Sequence, residues 1–342
     1  MVRAGLLGAG KMGLSHLAIL GAHPGVEVVA ICDTAAYVTS ALRKQTGVET
    51  FKDFGKMLDS SRLDCVLIAT PTSTHFQVTS EALEHGLHVF VEKPLCLNPQ
   101  DSFKLAELAK AKNKVNQVGY HNRFIGTFIE ARRLVRAGAL GEVYHVDAQA
   151  FGQVVVKAKA GGTWRSSRKE GGGCLHDYAS HVVDLMNFMV GPPEEVLGAH
   201  LRSVYSRDVE DAVYATLRYP GGASGQLTTN WSDDSYRKMS TAVTIFGTKG
   251  KIIVDRQECK IYLHRGAEFE TYAAGWTIRY ITDLQAPVSY YLRGEEYSAQ
   301  IDAFVDAIEK SSTGKENSFG SASETDRVIN MIAAAGARSH GV

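Results

Sequence analysis

A chain of 342 residues, 44% hydrophobic and 22% charged, is long enough for two hydrophobic cores and has the balance of a globular protein. Its 37 lysines and arginines equal its 37 aspartates and glutamates, so the overall charge gives no reason to expect nucleic acid or an acidic membrane as a partner. Five scattered cysteines, Cys32, Cys65, Cys96, Cys174 and Cys259, form no C-x-x-C pair; with no signal-peptide pattern and no run of about 18 apolar residues, the expectation is a cytoplasmic protein with reduced thiols and no membrane span.

Short apolar runs at 2–7, 26–32, 64–69, 87–91 and 115–119 read as strands and alternate with helical patterns, which predicts an α/β domain with a doubly wound parallel sheet. After the first run, "GLLGAGKMG" (5–13) sets Gly8, Gly10 and Gly13 in G-x-G-x-x-G spacing, with Lys11 and Met12 inside the motif. The spacing alone is a weak signal. Placed between a strand and a helix it gains meaning, because main-chain amides and the helix N-terminus can hold a pyrophosphate there. Asp33 ends the second strand, where a carboxylate can accept hydrogen bonds from ribose hydroxyls. It would repel a 2′-phosphate, and Thr34, Ala35 and Ala36 supply no compensating arginine, so NAD is expected in preference to NADP.

Thr70, Pro71 and His75, in "ATPTSTH" (69–75), follow the next strand and are candidate nucleotide contacts, although His75 can equally well do no more than start a helix. "FVEKPL" (90–95) ends a strand with Glu92, Lys93 and Pro94. Strand carboxyl ends face the ligand crevice in such a sheet, which aims Lys93 at the cofactor, and Pro94 permits a cis peptide. Asn98 before Pro99 reads as a helix cap.

After residue 120 the rhythm changes. Ile125, Phe128, Ile129, Arg132 and Val135 form a helix that stops at Gly138, and a second helix covers 174–190. On that second helix Asp177, His181 and Asp184 fall within about 60° of each other, opposite an apolar arc that includes Leu175, Tyr178, Val182, Leu185 and Met189. Either this polar line faces water or it serves a fixed geometry. The absence of lysine, arginine and glutamate from 174–190 favours the second. Gly171, Gly172 and Gly173 precede the helix, where they permit a close approach or form a flexible loop. A metal on Asp177 and His181 lacks further ligands, so none is expected.

From about 194 to 270 strands follow one another without long helices, predicting a largely antiparallel sheet with one face covered by helices. Residues 271–293 read as a long connection or insertion. Ile301, Phe304, Val305 and Ile308 make a helical stripe, and Ser321 with Glu324 suggests a capping box before the last helix.

The glycine motif, Glu92, Lys93 and Pro94, and "GGGCLHDYASHVVD" (171–184), together with "GYHNRF" (119–124) and "FGTKG" (246–250), resemble the glucose-fructose oxidoreductase, inositol dehydrogenase and MocA family over almost the whole chain. The resemblance implies an N-terminal Rossmann domain over 1–120 and, over 121–342, a C-terminal α/β domain with an open-faced, largely antiparallel sheet for substrate and for a homodimer or homotetramer contact, its final helices packing back on the first domain. It implies NAD(P)-dependent transfer of a hydride between nicotinamide and a secondary alcohol of a sugar, cyclitol or derivative, with Asp33 favouring NAD. The competing reading is a non-catalytic NAD(H)-binding regulator on the same fold.

Carried over, the family's lysine falls on Lys93 and its D-x-x-x-H pair on Asp177 and His181. His181 is then the general acid/base, Lys93 stabilises the developing alkoxide, and Asp177 orients substrate or imidazole. Softer candidates for substrate contact are Tyr120, His121, Asn122, Arg123, Trp164, Arg165 and Tyr236, with an ion pair the equal alternative for Arg123 and core packing for Trp164. Asp184 matches a recurrent family position and is assigned a supporting role. Ala179 stands where many relatives have glycine, and His176 lies away from the polar line.

Overall fold

The computed structural model describes residues 1–154, 164–288, 290–312 and 317–339, arranged as two units: Met1–His121 with Pro287–Ser323, and Asn122–Ala286 with Glu324–Val342. The first unit alternates strand and helix: β1 (Val2–Leu7), α1 (Lys11–Ala22), β2 (Val26–Cys32), α2 (Ala36–Thr46), β3 (Glu49–Phe51), α3 (Phe54–Ser60), β4 (Cys65–Ile68), α4 (Thr72–Glu84), β5 (His88–Val91), α5 (Pro99–Ala111) and β6 (Asn116–Val118). The six strands are parallel in the order β3-β2-β1-β4-β5-β6, the Rossmann order, whose switch point lies between β1 and β4. Every residue of β4 is buried, as expected of a strand covered on both faces. The five predicted strands are present. β3, three residues long, carries too little pattern to be read from sequence. Asn98 caps α5, its side chain accepting from Gln100 N at 3.1 Å with Pro99 in the first turn.

The second unit contains α6 (Gly126–Arg136), β7 (Val143–Phe151), α7 (Ser180–Val190), β8 (Glu195–Arg202), β9 (Ala212–Arg218), β10 (Ser224–Asn230), β11 (Ser240–Gly247), β12 (Gly250–Asp255), β13 (Glu258–Leu263), β14 (Gly275–Tyr280) and α8 (Ile281–Leu284). Its strands form one sheet in the order β14-β13-β12-β11-β7-β10-β9-β8, antiparallel except for the pair β7 and β10. Phe128, Leu134, Val182, Val183 and Met186 of the helices share a core with Val146, Leu227, Val243, Ile252 and Ile261 of the sheet. Each such apolar side chain removed from water contributes about 1.5–3 kcal/mol. On the sheet's other face, among the described residues, side chains of alternate residues remain at least partly exposed.

Three expectations need correction. Residues 271–293 are no mere connection, because they contain the edge strand β14 and the short α8. The strand escaped notice because Trp276, Ile278 and Tyr280 alternate onto the open face, at 52%, 42% and 51% exposure, and so gave no buried-core signature. The second domain is not continuous over 121–342, and the interruption comes from the C-terminal part of the chain that was expected to pack back on the first domain. α9 (Glu295–Glu309) belongs to the first unit, where Ile301, Phe304 and Val305 pack with Val2, Leu6, Ile19 and Phe90. The last helix, α10 (Phe319–Ser339), starts ahead of Ser321. Ser318 Oγ accepts from Ser321 N at 3.3 Å, and buried Phe319 and Ala322 set the start of the helix, so Ser321 is a first-turn residue.

All five cysteines are buried and free, and burial pushes the Cys32 thiol up to about 12. Among the described residues no helix is long and apolar enough to cross a membrane.

Candidate active site

Three glycines shape the first loop by different means. Gly8 has φ +92°, and a Cβ there would sit 2.7 Å from Ala69 O; at Gly13 a Cβ would lie 1.9 Å from Gly8 O. Gly10, the cap of α1, has nothing within 4 Å of a Cβ position, so an incoming phosphate can reach main-chain amides at the start of a 12-residue helix. Asp33 ties the loop down. Its Oδ2 accepts from Ala9 N and its Oδ1 from Ala35 N, both at 2.8 Å, and each oxygen keeps a lone pair for a ribose hydroxyl. This cradle fits a dinucleotide whose ribose carries no 2′-phosphate. Lys11 is exposed and Met12 half-buried beside it.

Lys93 stands at the carboxyl end of β5, half-buried, followed by a cis Lys93-Pro94 bond. Beside it the Glu92 carboxylate lies 2.6 Å from Nε2 of His16 on α1 and receives the Lys93 amide at 3.3 Å. Burial alone would raise the Glu92 carboxyl, but the His16 hydrogen bond and the charges of His16, Lys93 and His121 hold it below the usual carboxylate range. His75, only 1% exposed, has its Nδ1 3.0 Å from Pro94 O and 3.2 Å from Leu95 O, and its Nε2 3.0 Å from Thr70 O. Both ring nitrogens face main-chain carbonyls, and a neutral ring can donate from one of them, so His75 sits between the two loops and leaves no ring nitrogen for a nucleotide. Burial pushes its imidazole below the ordinary range. Thr70 is half-buried and its hydroxyl accepts from Thr74 Oγ1 at 2.8 Å, while Pro71 is exposed ahead of α4. Tyr120 lies in the apolar cluster of Leu95, Val118 and Phe319, a core position, and His121 stacks on Tyr297.

In the second unit the polar line is buried. Asp177, His181 and Asp184 are 6%, 5% and 1% exposed, which rules out a solvated helix face. A π turn over Leu175–Ala179 precedes α7, where the sequence predicts regular α-helix; such widened turns recur at functional sites. Arg165 Nε donates to Asp177 Oδ2 at 2.9 Å, and its guanidinium lies 4.5 Å above the Trp164 ring.

The glycine triplet makes that contact possible. Gly171 and Gly173 have φ of +85° and +107°, a Cβ on Gly172 would lie 2.3 Å from Arg165 O, and one on Gly173 would lie 2.2 Å from Glu210 Oε1. The chain therefore doubles back, with Gly173 N donating to Arg165 O, and Glu210 reaches the helix start, accepting from Leu175 N at 3.0 Å. Burial pushes the Glu210 carboxyl up.

Asp184 takes Arg123 in a two-pronged pair, Nε to Oδ2 at 2.8 Å and Nη2 to Oδ1 at 2.6 Å, while Thr325 donates to Oδ1 at 3.3 Å. Burial raises the Asp184 carboxyl and Arg123 opposes it. Arg123 is thus committed to an ion pair, and buried Asn122 accepts from Arg256 at 3.4 Å. Tyr236 stacks on Phe151. Sequence reasoning passed over His16 and Glu210. His16 lies three residues beyond the glycine motif and could have been noticed as a histidine on an otherwise apolar helix face, whereas nothing local marks Glu210. Among the described residues no three His, Cys, Asp or Glu side chains group to hold a metal.

Residues 2–120 match the model of the oxidoreductase family with an NAD-binding Rossmann fold, and residues 128–253 match that of the GFO/IDH/MocA C-terminal domain. The rhizopine catabolism protein MocA of Rhizobium meliloti is 30% identical over 227 residues, 65% of this chain and 69% of that protein. The scyllo-inositol 2-dehydrogenase (NAD(+)) of Bacillus subtilis is 26% identical over 279 residues, 79% of each chain. A levoglucosan dehydrogenase solved with NADH and levoglucosan shares the fold, with a TM-score of 0.87 at 22% identity over 98% of this chain and 97% of that one. The chain belongs to the GFO/IDH/MocA family of oxidoreductases, and its first unit carries the family's NAD-binding Rossmann fold.

Proposed function

We propose that this oxidoreductase moves a hydride between NAD and a secondary alcohol of a sugar, cyclitol or sugar derivative. The observation that carries the reading is the buried pair of Asp177 and His181 on one helix, with the Asp177 carboxylate held by Arg165. A base sequestered from water is of use to proton transfer and of little use to a sensor. Bound NAD supplies the hydride acceptor. His181 takes the hydroxyl proton, and the Lys93 ammonium hydrogen-bonds the oxygen as negative charge develops on it. Asp177 and Arg165 orient the substrate and the imidazole, and the exposed part of the Arg165 guanidinium, backed by Trp164, offers donors to ring hydroxyls. The names of the inositol and levoglucosan dehydrogenases among its relatives support a cyclic polyhydroxy substrate. The open face of the second sheet, with Trp276, Ile278 and Tyr280 exposed, supports self-association through that face.

The test is a library of polyols, aldoses and anhydrosugars incubated with NAD and followed at the absorbance band of reduced nicotinamide. NADH accumulating in proportion to alcohol consumed is the expected result. Tight NADH binding, seen by fluorescence, with no turnover across the library and in neither direction would replace this reading with the regulator.

A further inference from the structure

We propose that His16 and His75 are positioning residues for Lys93: two buried imidazoles, one on α1 and one on α4, that grip the turn 92–95 from both ends. The inference rests on the reading that Lys93 acts on the substrate hydroxyl, and it concerns how one flexible side chain is held in register with the cofactor loops.

At the leading end, His16 is completely buried, its ring edge-on to Phe90 at 5.2 Å, and Nε2 meets Glu92 Oε1 at 2.6 Å. The carboxylate lies against Gly119, in space that a Cβ there would enter at 3.2 Å from both oxygens, and Oε2 accepts from the Lys93 amide. At the trailing end, the His75 ring fills the space between Thr70 O and the carbonyls of Pro94 and Leu95. Whichever ring nitrogen carries the proton, one of those loops receives a donor that no apolar residue could give.

Both helices begin in cofactor loops, α1 at Gly10 and α4 just after Thr70 and Pro71. The residues buried elsewhere on them include Ile19 and Leu20 on α1 and Ala82 and Leu83 on α4. Packing alone would be served as well by leucine at 16 and 75, and burying an imidazole has a desolvation cost that is offset only through its polar contacts. What the two imidazoles add is a fixed path for the main chain on either side of Lys93. A long lysine side chain needs that support if its ammonium is to stay where charge develops.

The experiment compares His16→Leu, His16→Gln, His75→Leu and His75→Asn with the parent. Glutamine at 16 and asparagine at 75 each keep a side-chain N–H close to the lost ring nitrogen. Lysines are converted to 13C-dimethyl-lysine by reductive methylation, and the Lys93 resonance is identified by its absence in Lys93→Arg. In the parent that resonance should stand apart from those of solvent-exposed lysines. In the leucine variants it should collapse onto them, and the amide variants should restore it in large part, with NADH affinity by fluorescence within about threefold throughout.

With any alcohol turned over in the screen above, the leucine variants should lose about 10- to 100-fold in kcat, and should lose nothing further in a Lys93→Met background. A Lys93 resonance unchanged in leucine variants that melt cooperatively would overturn the clamp. So would equal losses with and without Lys93, which would show a general structural role. Lys93→Met retaining full turnover would instead overturn the catalytic reading and leave the resonance result standing.

Discussion

The restraints that place Lys93 in the sequence are local, the end of β5 and a carboxylate one residue away, and the imidazoles of His16 and His75 are added from other helices. Around Asp177, His181 and Asp184 they are side chains recruited from distant parts of the sequence. Arg165 lies 12 residues from Asp177, Glu210 35 from Leu175 and Arg123 61 from Asp184. A motif can therefore announce the first arrangement, because the geometry follows from where a parallel strand ends. It cannot announce the second, where long-range pairs and a doubled-back glycine segment hold an otherwise apolar helix in place.

The sharpest way to break this comparison is to remove the reacting groups themselves. Lys93→Met and His181→Ala should each lower kcat by about 10³-fold, roughly 4 kcal/mol of barrier, with NADH affinity within about threefold; either variant turning over at near-parent rates removes that residue from the chemistry. Asp184→Asn tests the long-range support. It leaves the Arg123 guanidinium buried without its counter-charge and should cost about 3–5 kcal/mol of unfolding free energy by denaturant titration. A loss below about 1 kcal/mol would show that Arg123 finds another partner and that the pair does not brace α7.

Gly173→Ala probes the doubled-back segment. The positive φ and the contact with Glu210 should lower stability by about 1–3 kcal/mol and turnover by roughly tenfold, whereas the same change at Gly47, which has open space beside its Cβ position, should leave turnover unaltered despite its own positive φ. A Gly173→Ala protein with parent turnover would mean the segment does not set Asp177. The smallest expected effect is on cofactor choice: Asp33→Ala with Thr34→Arg should move the NAD/NADP ratio of kcat/KM about tenfold toward NADP. An unmoved ratio would show that Asp33 serves only to anchor Ala9 and Ala35.

The strands of the first unit were legible because each is a short apolar run bounded by glycine, proline or a polar turn, and β1 and β2 begin and end where the pattern does. The polar line of α7 was legible as three residues but not as an environment. Periodicity shows which side chains share a face and is silent on what covers that face. His75 illustrates the same limit: its place after β4 allowed a nucleotide contact or a plain helix start, and only its three carbonyl neighbours show that it lies between the loops. Tyr120 and Arg123 were drawn toward the substrate by their motif, while the fold places one in a core and the other on Asp184.

By itself the sequence determined the α/β first domain, the glycine cradle with Asp33, and Lys93 at a strand end, since local spacing and strand direction are enough to settle those. The tertiary structure alone decided that β14 edges the second sheet and that Arg165, Glu210 and Arg123 hold the helix of Asp177 and His181. The reason is physical: a buried charge is stable only beside a partner, and where along the chain that partner lies is a property of the packed fold.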